Sequence, residues 1–169
     1  VGILVKSKQT IALVSRGLAS RGVNHRIRED TSLDRDTSLW ASLFRSLLSW
    51  TLSADPSKYE VIERYLDVTT SRSAARRLSL SLKELEMSLR HSATGLDVKR
   101  DRFVAIAKSL MPSAENRGAV GSLVGILGSQ DALASYAPIS ADEIHLMTLH
   151  KSKGLEFDVV FHLDLYEHI

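Results

Sequence analysis

The residues best equipped for chemistry lie in one short stretch, from Thr148 to Glu156. Thr148, His150, Lys151, Ser152 and Lys153 supply two hydroxyls, an imidazole and two ammonium groups just before Gly154. Such a set donates hydrogen bonds to an anion, a phosphate above all, and free backbone amides at a helix start would add to it. Gly154 lets the backbone turn or come close to a ligand. Glu156 is the wrong sign for a phosphate and is better suited to accept a hydrogen bond from a sugar hydroxyl, as the acidic residue of dinucleotide folds does. On this chemistry alone, a solvated polar turn remains the default outcome.

A loop of this kind needs strands to hold it. Ile144, His145, Leu146, Met147, Thr148 and Leu149 form a near-continuous apolar run that predicts a strand covered on both faces. Val159, Val160, Phe161, His162 and Leu163 predict a second. At the other end of the chain, Val1, Ile3, Leu4 and Val5 predict a buried strand. Ser7 is placed to cap a helix carrying Ile11, Val14 and Leu18, with Gly22 as its stop, and residues 23–28 return as a short strand. Strand, helix and strand make one βαβ unit of a parallel sheet.

Residues 30–141 have a different character, with helical spacing almost throughout. Leu39, Leu43, Leu47 and Trp50 mark one helix; Tyr59, Ile62, Tyr65 and Leu66, after Pro56, mark another. A longer helix over 71–91 carries Leu78, Leu82, Leu85 and Leu89, and one over 98–110 carries Phe103, Ile106, Ala107 and Leu110. Residues 114–128 show the same spacing despite Gly118, Gly121, Gly125 and Gly128, each of which costs about 1 kcal/mol in a helix interior. The expected fold is therefore α/β: a parallel sheet formed from residues 1–29 and 142–169, opened by an all-helical insertion over 30–141.

Composition narrows the function classes. There is no cysteine, which excludes a disulfide framework and thiolate metal sites, and no apolar run approaches the roughly 18 residues of a membrane span. No charged-then-apolar leader opens the sequence, so a soluble, cytoplasmic protein without a membrane partner is expected. The net charge of +2 does not by itself argue for nucleic acid. Its distribution is uneven, however: Lys6, Lys8, Arg16, Arg21, Arg26 and Arg28 stand near the start, while Asp142, Glu143, Glu156, Asp158, Asp164 and Glu167 stand near the end. If the ends fold together, these charges are complementary.

Other groups read more simply. Arg72, Arg76, Arg77, Lys83 and Arg90 are interleaved with Glu84 and Glu86, and Lys99, Arg100 and Arg102 surround Asp101, so both sets are expected on solvated helix faces rather than on duplex phosphates. Trp40 and Trp50 sit among leucines at core spacing. His145 and His162 have no acidic or cysteine partners at ligand spacing, and no metal site is expected.

The string LMTLHKSKGLEFDVVF, residues 146–161, closely resembles motif V of superfamily 1A DNA helicases, the UvrD/Rep/PcrA family with its RecB and AddA relatives. The opening VGILVKSKQTIALVSRGLASRGVNHRI is similar to the family's motif IVa segment. In that family a mostly helical 2B subdomain interrupts the RecA-like 2A subdomain between these two segments, matching the order found here. The resemblance implies a partial RecA-like parallel sheet (2A) at 1–29 and 142–169, with a 2B-like helical insertion at 30–141. Thr148 and His150 match positions that contact the backbone of single-stranded DNA. Lys153 and Gly154 match the KG of the motif, near both DNA and nucleotide, and Glu156 matches the acid that reaches the ATP ribose. Lys6 and Ser7 match a loop near the DNA. Lys8 departs from the family's usual Asn, and the insertion is shorter than the 2B of large members.

The resemblance implies a 3′-to-5′ DNA helicase or translocase of DNA repair or replication that uses ATP with Mg2+ and acts on single strands and single/double-strand junctions. In a bacterium it would be associated with the nucleoid. The phosphate-gripping GxxxxGK(S/T) loop, the acidic magnesium-binding strand end and the arginine motifs do not occur in these 169 residues. The sequence therefore reads as part of a larger enzyme, inactive in ATP hydrolysis by itself. The alternative is a helical regulatory or partner-binding module, docking repair or replication proteins, in a helicase–nuclease of AddA or RecB type.

Overall fold

The computed structural model describes residues 1–28, 30–53, 72–91, 93–114, 117–138, 142–153 and 155–163. The fold is α/β, with four parallel strands and seven helices among the described residues. Two compact units divide the chain: Val1–Asp30 with Ile139–Ile169, and Thr31–Pro138.

In the sheet unit, β1 (Gly2–Val5), α1 (Lys8–Ala19), β2 (His25–Arg28), β3 (Ile144–Thr148) and β4 (Val160–His162) form a sheet of order β2-β3-β1-β4. The strands of the βαβ unit are thus not neighbours, because β3 lies between them. The reason is burial: His145, Leu146 and Met147 are fully enclosed, whereas β2 is only half-buried and β4 is exposed, so the most apolar strands take the central places. Side chains alternate across the sheet. Ile3, Val5 and Leu146 face Ile11 of α1, with Val14, Leu18 and Ile27 around them. Ser15 Oγ lies 2.7 Å from His25 Nε2, and His25 Nδ1 lies 3.0 Å from the Val23 carbonyl, a contact that pins α1 to β2. The ends of the chain meet electrostatically as well, with Arg26 paired to Glu143 at 2.7 Å.

The helical unit contains α2 (Ser32–Arg35), α3 (Leu39–Leu52), α4 (Arg72–Arg90), α5 (Leu96–Leu110), α6 (Arg117–Leu127) and α7 (Gln130–Ala134). The helix expected around Tyr59 to Leu66, after Pro56, falls outside the described residues. The core joins Leu43, Phe44 and Leu47 of α3, Leu78, Leu82 and Leu85 of α4, Phe103 and Ile106 of α5, and Leu123 and Ile126 of α6. Phe44 and Phe103 meet edge to face, their centroids 5.6 Å apart. Trp40 and Trp50 both lie in this core, while Leu39, at the capped start of α3, is exposed. The glycine-rich α6 holds because Ala119, Leu123 and Ile126 bury its inner face, whereas a Cβ at Gly121 or Gly125 would meet only open space. Packing outweighs propensity there.

The short helix α2 owes its existence to its caps rather than to periodicity. Thr31 and Asp34 form a reciprocal capping box, and Arg45 Nη1 donates to the carbonyls of Leu33, Asp34 and Asp36 at 2.9, 3.0 and 3.1 Å. Tyr136 closes the same cluster from the far end of the unit: its hydroxyl donates to Asp34 Oδ1 at 3.0 Å and lies 2.6 Å from Thr31 Oγ1. Burial, aided by the Asp34 carboxylate, pushes the Tyr136 hydroxyl well above tyrosine's ordinary 10.0. Replacing Tyr136 with Phe should lower the unfolding free energy by about 1–2 kcal/mol at neutral pH, measured by chemical denaturation. A hydroxyl whose folded value is raised contributes stability below its unfolded value and loses that contribution as pH rises toward the folded one, so the gap between the two proteins should narrow above pH 10. Equal stabilities at neutral pH would contradict this account.

Candidate nucleic-acid interface

Parallel pairing decides which loops meet. Val5 of β1 stands opposite Thr148 of β3, and the Leu149 amide carries the ladder one step further by donating to the Val5 carbonyl at 3.1 Å. The chain after Val5 and the chain after Thr148 therefore leave the sheet at the same end. Arg28 of β2 stands opposite Met147, so Asp30 emerges there as well. This is the carboxyl edge of the sheet, the edge at which open α/β folds bind ligands.

Lys6 is exposed, and Ser7 is the half-buried cap of α1, its Oγ accepting from the Thr10 amide at 3.1 Å. Thr148 is half-buried and closes the next turn. Its carbonyl accepts from the amides of Lys151 and Ser152 at 3.0 and 3.2 Å, and its hydroxyl accepts from the Lys151 amide at 3.4 Å. A hydroxyl that accepts still has its proton to donate outward. His150, Lys153 and Glu156 are exposed and make no hydrogen bond or ion pair with other described residues. Gly154 lies outside the described residues.

The structure revises one detail of the anion site expected from sequence. Among the described residues no helix begins after β3. Residues 149–153 form consecutive turns, and the amides of Lys151, Ser152 and Leu155 are already bonded to carbonyls of the same loop. Those three amides are therefore not donors for an anion, and the exposed side chains of His150 and Lys153 are. One of the two lysines is also committed: Lys151 Nζ pairs with Asp30 Oδ1 at 3.1 Å.

Sequence reasoning missed two positioning residues. Phe157 folds back over the sheet, its ring centroid 5.9 Å from that of His145. A Cβ built on Gly2 would come within 2.9 Å of the Phe157 ring, so the glycine is what makes room for the phenylalanine. The visible signal was a glycine in the first apolar run, but its partner lies in a loop segment distant in sequence.

The profile of the UvrD-like helicase C-terminal domain matches residues 50–169, well over half of the chain. The chain belongs to this family. No curated protein matches it. Membership makes this a helicase domain, from a family that acts on nucleic acid and uses ATP with Mg2+. Among the described residues no helix is long and apolar enough to cross a membrane.

The remaining charged groups of this UvrD-like domain sit mostly at the helix surface. Arg76, Arg77, Lys83 and Arg90 of α4 are exposed, with Arg90 paired to Glu86 at 3.1 Å; the side chain of Arg72 lies outside the described residues. In α5, Arg100 pairs with Asp97 and Asp101, and Arg102 donates to the Glu84 carbonyl. His145 is buried and His162 is exposed on the edge strand.

The fit between Gly2 and Phe157 is directly testable. Changing Gly2 to Ala should destabilise the protein by about 1–3 kcal/mol, the usual range for overpacking. In a Phe157→Ala background, where the obstructing ring is gone, the same change should cost much less; strictly additive losses in denaturation midpoints would reject the contact.

Proposed function

We propose that this chain supplies the RecA-like 2A portion, with a 2B-like helical insertion, of an ATP-dependent 3′-to-5′ DNA helicase or translocase. In this reading the sheet unit is 2A and the helical unit is 2B-like. The loop from Thr148 to Glu156 is motif V, contacting single-stranded DNA through Thr148, His150 and Lys153 and the ATP ribose through Glu156, with Gly154 close to the nucleotide. Lys6 and Ser7 belong to the DNA side. The observation that carries the reading is the β1–β3 pairing, which brings the loops after Val5 and Thr148 to one ligand-binding edge.

The donor set suits the division of labour. An exposed carboxylate with no partner among the described residues is free to accept from a ribose hydroxyl, and exposed His150, Lys153 and Lys6 are placed for phosphates. ATP with Mg2+ needs more than this chain offers. The 169 residues contain no GxxxxGK(S/T) loop, so the magnesium and the triphosphate would be gripped by other parts of the enzyme. The role left to these residues is to hold the sugar and the DNA strand from one short loop. A change at the nucleotide then moves the grip on the strand.

The test separates the two halves of the loop in the full-length helicase. Glu156→Gln should raise the KM for ATP by about 10-fold, the difference between a charged and a neutral hydrogen bond, while the Kd for single-stranded DNA stays within about 2-fold. His150→Ala should weaken DNA binding by about 5–10-fold and spare the KM for ATP in DNA-saturated assays. Equal effects of both changes on both ligands would defeat the assignment.

A further inference from the structure

Lys151 looks in sequence like one more cation for the anion site, next to His150 and two residues before Lys153. Its surroundings give it a different task. Its ammonium lies 3.1 Å from Asp30 Oδ1, with the two side chains 24% and 37% exposed. Asp30 follows β2 and Lys151 follows β3, two strands paired in parallel with Arg28 opposite Met147, so the ion pair bridges neighbouring loops on the carboxyl edge. The backbone of Lys151 is held as well, because its amide donates to both the carbonyl and the hydroxyl of Thr148. A side chain fixed at its tip and its root constrains the turn between them.

We propose that Lys151 is a positioning residue. Its ion pair with Asp30 holds the turn after β3 in the shape that presents Thr148, His150 and Lys153 to the backbone of a single DNA strand. The inference rests on the function proposed above, and it moves Lys151 from the phosphate-binding set to the frame that supports that set. Arginine at this position reaches the same carboxylate; methionine, of similar bulk without the charge, does not.

A partly exposed pair of this kind is weak, so the effects are small but measurable. In the 169-residue chain, Asp30→Asn and Lys151→Met should each speed amide hydrogen exchange at Lys151 and Ser152 by about 2–5-fold. The double variant should exchange no faster than either single one, and Lys151→Arg should match the unaltered chain. In the full-length helicase, Asp30→Asn should weaken binding of an oligothymidylate about as much as Lys151→Met does, with the salt dependence unchanged. If Lys151 instead binds phosphate, Asp30→Asn leaves DNA affinity equal or tighter, while Lys151→Met lowers the salt slope by about one; that result overturns the proposal. Unchanged exchange in both variants overturns it too. Faster exchange with no change in DNA affinity supports the clasp and instead overturns the DNA role proposed for the loop.

Discussion

The pairing of β1 with β3 is the constraint on which the rest of the structure depends. It joins two strands separated in sequence by the whole helical unit, and its register is set by both faces at once. Ile3, Val5 and Leu146 must share the face that Ile11 covers, while Gly2 must lie beneath Phe157 on the other. A slip of one residue would send each of these side chains to the wrong face. The same register places Val5 beside Thr148, and therefore fixes which two loops meet at the carboxyl edge.

The loop after β3 illustrates how polar groups are kept available on a firm base. At its start, Thr148 takes up the amides of Lys151 and Ser152; in its middle, Lys151 reaches Asp30; at its far end, Phe157 rests over Gly2 and beside His145. Each anchor uses a different interaction: backbone hydrogen bonds, an ion pair, and close packing. His150, Lys153 and Glu156 take part in none of them and remain exposed. Exposed polar groups keep a defined position when other residues restrict the backbone beneath them.

Long helices with apolar residues every three or four positions could be read from the sequence, because burying a stripe demands that period whatever the tertiary context. The helix carrying Leu78, Leu82 and Leu85 was recognisable this way. Helices α2 and α7 were not, since four or five residues cannot display a period; they exist through Thr31 and Ser129 as caps. Strand order escaped as well. β1, β3 and β4 were visible as apolar runs and β2 as a short return after the Gly22 stop, but nothing local says that β3 enters between β1 and β2. At the site, residue types announced a polar loop, and motif resemblance gave the residues roles. The split between Lys151 and Lys153 was invisible, because two identical side chains differ only in what the fold places beside them.

The junction between the units adds a further step. Asp30 and Thr31 are consecutive, yet their side chains are committed within different units: Asp30 to Lys151 in the sheet unit, and Thr31 to Asp34 and Tyr136 in the helical unit. A chain leaving one unit for another usually passes through a stretch of few contacts. Here the last residue of one unit and the first of the next are each held by side-chain contacts within their own unit. Because Lys151 also fixes the turn that carries Thr148 and His150, the stem leading into the helical unit and the polar loop on the carboxyl edge share one anchoring pair. The residues that shape the loop are therefore set partly by a segment with no ligand-binding chemistry of its own.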